Sequence, residues 1–224
     1  MDNMEIIASR KTALLFGATG LVGRQLLNGL LDHKAYQKVI APTRRKLHGE
    51  HRKLENPVVN FDKLDRYPEI FQGQDLFLAL GTTLKRAGSK EAFRQVDYEY
   101  VVDIGRRALR AGANQCLLVS SAGADSESAF FYNRVKGETE EAVTGLDYWA
   151  IHIFRPGVLL GERSEARLAE KISGSLTGLL RSISPGILGD YNPTNAEVLA
   201  RKMIESAQTI RPGVTFHRAE ELVS

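Results

Sequence analysis

Cysteine is nearly missing from this sequence: of 224 residues, only Cys116 carries a thiol. One cysteine excludes an intrachain disulfide framework and fits a reducing compartment. It lies in the apolar run Cys116-Leu117-Leu118-Val119, where a buried structural thiol is expected rather than a nucleophile. Metal-ligand spacing is also lacking. The five histidines form no His-Glu-x-x-His pattern and no Cys-x-x-Cys occurs, so no metal site is expected. No apolar run approaches membrane-spanning length, and residues 1–11 hold no signal-peptide core. These absences lead to the expectation of a cytoplasmic protein with no membrane partner. Charge of one sign is scarce too: the net charge of +3 is too small to imply a nucleic-acid partner. With 43% hydrophobic and 25% charged residues, and no repeat, low-complexity tract or linker, the chain reads as one globular domain over 1–224.

What is present is concentrated in one early stretch. The apolar run Leu14-Leu15-Phe16 ends in Gly17-Ala18-Thr19-Gly20-Leu21-Val22-Gly23, three glycines spaced three apart, and an amphipathic segment follows at once. This is the pattern of a buried strand, a turn that glycine enters at low cost, and a helix whose first amides face outward. A pyrophosphate suits that helix end, drawn by unpaired N–H groups and the positive end of the helix dipole. Gly-x-x-Gly-x-x-Gly alone is a weak signal and also fits a plain tight turn; its place between strand and helix favours a nucleotide.

Further along, β-prone runs alternate with helical patterns. Strands are expected at 12–16, 38–43, 58–61, 75–80, 115–119, 148–154 and 214–217. Helices are expected from 24 to 31, over 89–111, where Phe93, Val96, Tyr100, Val101, Ile104 and Leu109 keep a helical period, and over 129–144. Leu168, Ile172, Leu176, Leu179, Leu180 and Ile183 also fall on helical spacing. Thr194-Asn195-Ala196-Glu197 has the Thr-x-x-Glu form of a capping box opening a helix to about 207. Alternation at this spacing argues for an α/β fold with a doubly wound parallel sheet, a Rossmann fold, since parallel strands need crossovers. Residues 12–161 make its dinucleotide-binding core, and 162–224 a short C-terminal substrate-side region.

In such a fold an acid about twenty residues past the glycines ordinarily binds the adenosine ribose. Here the second strand ends Pro42-Thr43-Arg44-Arg45-Lys46. A carboxylate would repel a 2′-phosphate, whereas arginine binds it through two hydrogen bonds and stacks on adenine, so Arg44 and Arg45 favour NADPH over NADH. The longer basic run to Lys53 also fits a solvated loop or a weak polyanion patch, but it lacks interleaved aromatics. Asp62 stands where an adenine amino group would be bound, or simply forms a turn. Gly81 and Thr82 close the fourth strand, at the strand ends where ligands lie. Lys85 and Arg86 follow, facing an anionic group or only solvent.

The second constellation is Ser120-Ser121 followed by Tyr132-Asn133-Arg134-Val135-Lys136. Tyrosine and lysine four apart share a helix face. A nearby ammonium stabilises tyrosinate and lowers a phenol pKa that starts at about 10, making a workable acid/base. A serine hydroxyl at the end of the fifth strand can bond the same carbonyl oxygen. Tyr-x-x-x-Lys also arises by chance, as a core-facing tyrosine with a solvated lysine; its place after the serine pair and downstream of the glycine turn favours chemistry.

Taken in order, Gly17-Ala18-Thr19-Gly20-Leu21-Val22-Gly23, Gly81-Thr82-Thr83, Ala87-Gly88-Ser89, Ser120-Ser121-x-Gly123-Ala124-Asp125, Tyr132-x-x-x-Lys136-Gly137-Glu138 and Phe154-Arg155-Pro156-Gly157-Val158-Leu159-Leu160 resemble the short-chain dehydrogenase/reductase superfamily. More narrowly, the chain resembles the atypical branch that contains the Tat-interacting oxidoreductases. The resemblance implies NAD(P) binding, with Tyr132 as proton donor. It also implies that Lys136 holds the nicotinamide ribose and that Ser121, the second serine of its pair, orients the carbonyl. Pro156, Gly157 and Val158 would lie beside the nicotinamide, and Ser120 joins the cofactor-binding set. Two departures stand out. Val96-Asp97-Tyr98 has an aspartate where the superfamily often has an asparagine that holds a relay water. Only about sixty residues follow Arg155-Pro156-Gly157, which argues against a large nucleotide-sugar pocket. The expected activity is an NADP(H)-dependent oxidoreductase acting on a small carbonyl or alcohol. An NADP(H)-binding regulatory or scaffold protein and, more weakly, an epimerase or isomerase are the alternatives. Substrate and oligomeric state stay open.

Overall fold

The computed structural model describes residues 11–160, 193–209 and 211–222. Strand β1 (Lys11–Phe16) is buried from Thr12 onward, and its side chains divide by the two-residue strand period. Ala13 and Leu15 enter one apolar layer with Leu26 and Leu30 of α1 (Leu21–Asp32) and Leu199 and Met203 of a later helix. Leu14 and Phe16 enter the opposite layer with Ile104 and Val143. A strand covered on both faces needs a continuous apolar run, which is what Ala13-Leu14-Leu15-Phe16 supplies.

The remaining strands are β2 (Tyr36–Ile40), β3 (Leu54–Glu55), β4 (Asp75–Leu78), β5 (Gln115–Val119), β6 (Ala150–Arg155), β7 (Leu159–Leu160), β8 (Thr194–Asn195) and β9 (Gly213–Arg218). Seven form one parallel sheet in the order β3-β2-β1-β4-β5-β6-β9, while β7 and β8 pair separately. The expected doubly wound parallel sheet is therefore present. Its strand order reverses between β1 and β4, and ligands of such sheets bind in the crevice at the carboxyl ends there. On one face lie α1 and α6 (Ala196–Ser206), which pack on each other; a Cβ on Gly29 would stand 2.6 Å from Ile204 Cδ1. On the other lie α4 (Tyr100–Arg110) and α5 (Phe131–Thr144).

Several boundaries differ from expectation, each for a local reason. The second strand begins earlier and stops at Ile40, because Pro42 has no N–H to offer; Thr43 keeps one bridge, to Val58. Residues 58–61 are not a strand. Asn60 caps the Asp62 N–H at 2.9 Å and starts a 3₁₀ segment, Phe61–Arg66, so the third strand is the earlier Leu54–Glu55. The helix expected over 89–111 is three pieces: α3 (Lys90–Arg94), a π-helical turn (Gln95–Glu99) and α4. A short helix, α2 (Leu84–Ala87), precedes it. The capping-box assignment is off by one. Asn195, not Thr194, caps α6 by accepting from the Glu197 N–H at 2.7 Å, while the buried Thr194 accepts from the Gly157 N–H at 3.1 Å. The helical spacing at 168–183 lies outside the described residues. Among the described residues no helix is long and apolar enough to cross a membrane.

Candidate functional site

At the switch point the glycines act by leaving space. Gly17 has φ of +99°, and a Cβ there would sit 2.3 Å from the Ala79 carbonyl oxygen just beyond β4. A Cβ on Gly23 would stand 1.9 Å from the Gly17 oxygen, so this glycine lets α1 close onto the end of β1. Gly20 is the N-cap of α1 and offers no side chain to the first amides, and no acid stands in the first turn. Ala18 and Val22 are buried core residues, so they can meet a ligand through their backbone, while Thr19 and Gly20 are exposed. This is an anion cradle in form: free amides at the positive end of a twelve-residue helix.

Beside it, Arg44 and Arg45 are exposed past the end of β2, with the Arg45 carbonyl held by the Thr43 hydroxyl at 2.7 Å. Asp62 Oδ1 accepts from Gln95 Nε2 at 3.0 Å and from the Tyr100 hydroxyl. Burial, then the bond to Asp62, pushes the Tyr100 phenol up to about 12, against a weaker opposing pull from Arg44. Arg44, Asp62 and Tyr100 therefore share one electrostatic neighbourhood.

The serine pair follows β5. The Ser120 N–H donates to the Phe154 carbonyl at 2.7 Å and the Ala122 N–H to the Pro156 carbonyl at 2.8 Å, which stitches this loop to 156–158. The Thr194 N–H in turn donates to the Val158 carbonyl at 2.9 Å, and Val158 is exposed. The loop also rests on α5. A Cβ on Gly137 would lie 2.1 Å from the Ser126 nitrogen, so glycine is required for that approach. Both serine Oγ atoms are buried without a hydrogen-bond partner among the described residues. Unpaired buried hydroxyls are uncommon and call for a reason.

On α5, Tyr132 is 36% exposed and lies against the Phe93 ring, centroids 5.5 Å apart. Lys136, one turn on, is buried, and its Nζ stands 2.7 Å from Asp97 Oδ1. Burial disfavours the ammonium, but Asp97 first, then Tyr132 and Glu140, more than offset it and hold the Lys136 pKa above the ordinary lysine value. Four residues further, Glu140 takes Arg155 Nε at 3.0 and 3.1 Å. Gly81 and Thr82 border the same place: the Thr82 N–H donates to Asp97 Oδ2 at 2.9 Å.

The structure thus gathers Gly81, Thr82 and Lys136 around Asp97, and joins the serine loop to 156–158. Sequence reasoning missed the Asp97–Lys136 and Glu140–Arg155 pairs and the Thr194 tie. A signal existed for the first. Asp97 lies four residues after Phe93 and four before Val101, a charge set into an apolar helical stripe. Cys116 is a buried thiol whose pKa burial pushes up, as expected of a structural cysteine.

The parallel order and the glycine turn before α1 define a Rossmann-type α/β protein. Solved structures agree on the fold. MoeE5 in complex with UDP-glucose and NAD superposes with a TM-score of 0.70 at 14% identity, over 95% of this chain and 79% of that one. The Helicobacter pylori ADP-L-glycero-D-manno-heptose-6-epimerase gives 0.69 at 15% identity, over 100% of this chain and 83% of that one. No family profile matches. Sequence relatives are more specific. Protein HTATIP2 of Rattus norvegicus is 42% identical over 174 residues, 74% of this chain and 72% of the relative. Protein FMP52-1, mitochondrial, of Scheffersomyces stipitis is 32% identical over 230 residues, 94% of this chain and 96% of the relative. The chain belongs to the family of HTATIP2 and FMP52. This corrects the expected cytoplasmic location. Several FMP52 relatives, including that of Candida albicans, are named as mitochondrial proteins. Lack of disulfides and of apolar spans does not distinguish one reducing, aqueous compartment from another.

Proposed function

We propose that this protein is an NADP(H)-dependent oxidoreductase moving hydride between the nicotinamide and a small carbonyl or alcohol. The observation that carries the reading is the pair of buried, unpartnered serine hydroxyls on a loop packed against the Tyr132–Lys136 helix. The residues present suit the dinucleotide. The amides of 17–23 would take the pyrophosphate, and Arg44 and Arg45 the 2′-phosphate. Asp62 would meet the adenine, Gly81, Thr82 and Ser120 would border the ribose side, and Pro156, Gly157 and Val158 would border the nicotinamide. MoeE5, of like fold, is described in complex with NAD, which supports a nicotinamide dinucleotide.

The cofactor, when bound, supplies the hydride chemistry. This chain's residues handle the proton and the oxygen. Ser121 Oγ, with no bond to give up, donates to the carbonyl oxygen and holds it. The Tyr132 hydroxyl protonates the developing alkoxide, and the charged Lys136 stabilises the tyrosinate that results while binding the ribose. Proton transfer of this kind supplies roughly 10²–10⁴-fold in rate.

The test is turnover of a carbonyl panel with NADPH by the unchanged protein and by Tyr132→Phe. A fall of at least about a hundredfold with NADPH affinity retained supports the role, while undiminished turnover removes it. NADPH binding with no turnover on any substrate would instead favour a nucleotide-binding regulatory protein.

A further inference from the structure

We infer that Asp97 is the positioning residue of this site: its carboxylate fastens the Lys136 ammonium to the Gly81–Thr82 turn. The inference deepens the proposed function and rests on it for the meaning of Lys136. The geometry is a three-way clamp. Asp97 is 0% exposed, with Oδ1 2.7 Å from Lys136 Nζ on α5 and Oδ2 accepting from the Thr82 N–H at 2.9 Å beyond β4. Its backbone carbonyl accepts from Thr139 Oγ1 at 3.0 Å, one turn after Lys136 on α5. One residue thereby fixes the lysine, the helix that carries it and a turn at the mouth of the crevice.

Two local features accompany this clamp. The first is the π-helical turn Gln95–Glu99, which contains Asp97 and interrupts an otherwise α-helical segment. Such turns disturb the regular hydrogen-bond ladder, and they recur at functional sites. The second is Gly81. A Cβ there would meet Asp97 Oδ1 at 3.4 Å and Lys136 Nζ at 3.8 Å, ordinary contact distances, so the backbone of the turn lies directly against the ion pair.

The other groups facing Lys136 do not replace Asp97. Tyr132 and Glu140 lie on its own helix, and Glu140 is committed to Arg155 through a bidentate pairing. The Asp97 carboxylate meets one cation, Lys136, and otherwise an amide. The role that the superfamily resemblance gave this position, holding a relay water, thus becomes a different one: direct hold of the lysine.

The experiment is competitive acetylation with trace acetic anhydride, read by peptide mass spectrometry across the alkaline range, on the unchanged protein and on Asp97→Asn. Asparagine keeps an oxygen for the Thr82 N–H and removes the charge. Only neutral lysine reacts, so the midpoint of the pH dependence reports how firmly the ammonium is held, whereas a change of access alters the rate without moving that midpoint. The midpoint of Lys136 should fall by about one unit or more, a tenfold rise in neutral fraction at a given pH, while exposed Lys90 stays put. An unmoved midpoint overturns the inference. Should Asp97→Asn not fold, Asp97→Asn with Lys136→Met decides. Pairing requires that removing the stranded ammonium restore the fold, with an unfolding constant at least about tenfold smaller than that of Asp97→Asn. A double variant no more stable than Asp97→Asn overturns the inference. Neither readout needs cofactor or substrate. Failure of NADPH to bind would therefore count against the proposed function alone.

Discussion

Buried carboxylates stand at both ends of one sheet, each paired with a lysine, but the hydroxyls beside them are treated in opposite ways. At the amino end, Asp75, the first residue of β4, is 1% exposed. Its Oδ2 accepts from the Tyr36 hydroxyl at 2.7 Å and from Lys11 Nζ at 3.1 Å, and its Oδ1 from Gln115 Nε2 at 3.1 Å. Gln208 adds a bond to the Tyr36 oxygen at 2.9 Å, and Lys11 a second one to the Ala207 carbonyl at 3.0 Å. Burial and the neighbouring Asp75 keep the Tyr36 phenol un-ionised. At the carboxyl end, Asp97 holds Lys136, but the serine hydroxyls nearby are left without partners. The amino-end network meets both its charges and leaves one amide oxygen, Gln115 Oε1, without a partner, while the two free hydroxyls at the carboxyl end fit the ligand role proposed above. The end of the sheet, more than the residue types, separates the two.

The sharpest way to break that contrast is Asp75→Ala. It takes a partner from a half-buried ammonium, a buried phenol and a buried amide, and should cost about 3–5 kcal/mol in denaturant unfolding. NADPH affinity of the folded fraction should not change. A cost below about 1 kcal/mol would mean that the amino-end network is not what joins β1, β2, β4 and β5.

Between the two ends lies a third polar pair. His152 Nδ1 is 3.1 Å from His217 Nε2, and the His217 ring stacks on Phe154 with centroids 4.3 Å apart. Burial first, then His217 and Arg211, lowers the His152 pKa to about 4, and burial lowers that of His217. The unfolded chain takes up protons at about 6.5, well before the folded one. Stability from this pair is thus fully present above about pH 6.5 and is lost as pH falls toward 4, by up to about 3 kcal/mol. His152→Gln should flatten that slope in unfolding curves recorded across the range. A slope unaltered by the substitution would assign acid lability to other groups.

How much of this could be read from sequence follows the same physics. The strand–turn–helix at 12–31 was legible because local rules act together there: an apolar run, glycines where a backbone must pass close, and a helix without an N-terminal side chain. The doubly wound parallel sheet followed from alternation and crossover length, whereas its strand order came from the structure. The third strand was not legible, because Asn60 capping Asp62 outcompetes the β-propensity of Val58 and Val59. Nor was the Asn195 cap, since Thr-x-x-Glu fits equally well when Thr194 is drawn inward to Gly157. In the site, Ser121, Tyr132 and Lys136 stood out in the sequence as a spaced set, and their roles are those proposed above. The partner of Lys136 was not, because it depends on a π-helical turn that no residue period announces.

Ser121→Ala tests the reserve directly. No protein hydrogen bond to Oγ is lost, so unfolding free energy should move by less than about 0.5 kcal/mol, while turnover on an accepted carbonyl should fall about a hundredfold. The Asp75 variant should show the reverse pattern. If Ser121→Ala destabilises the fold as Asp75→Ala does, the two ends are alike and the contrast fails.

The smallest effect belongs to the outer edge of the crevice. Arg44 and Arg45 are exposed, so each contributes a screened interaction rather than a buried one. Arg44→Ala and Arg45→Ala should each weaken NADPH by about tenfold, about 1.4 kcal/mol, and leave NADH nearly unchanged, since NADH lacks the 2′-phosphate. Titration of both cofactors against both variants measures this. The Arg44 effect should also shrink with added salt more than that of Ser121, whose Oγ is buried. Equal affinity of the unchanged protein for NADPH and NADH would remove both arginines from cofactor selection. The proposed grip on the dinucleotide would then rest on the glycine turn at the pyrophosphate and on Lys136 at the ribose.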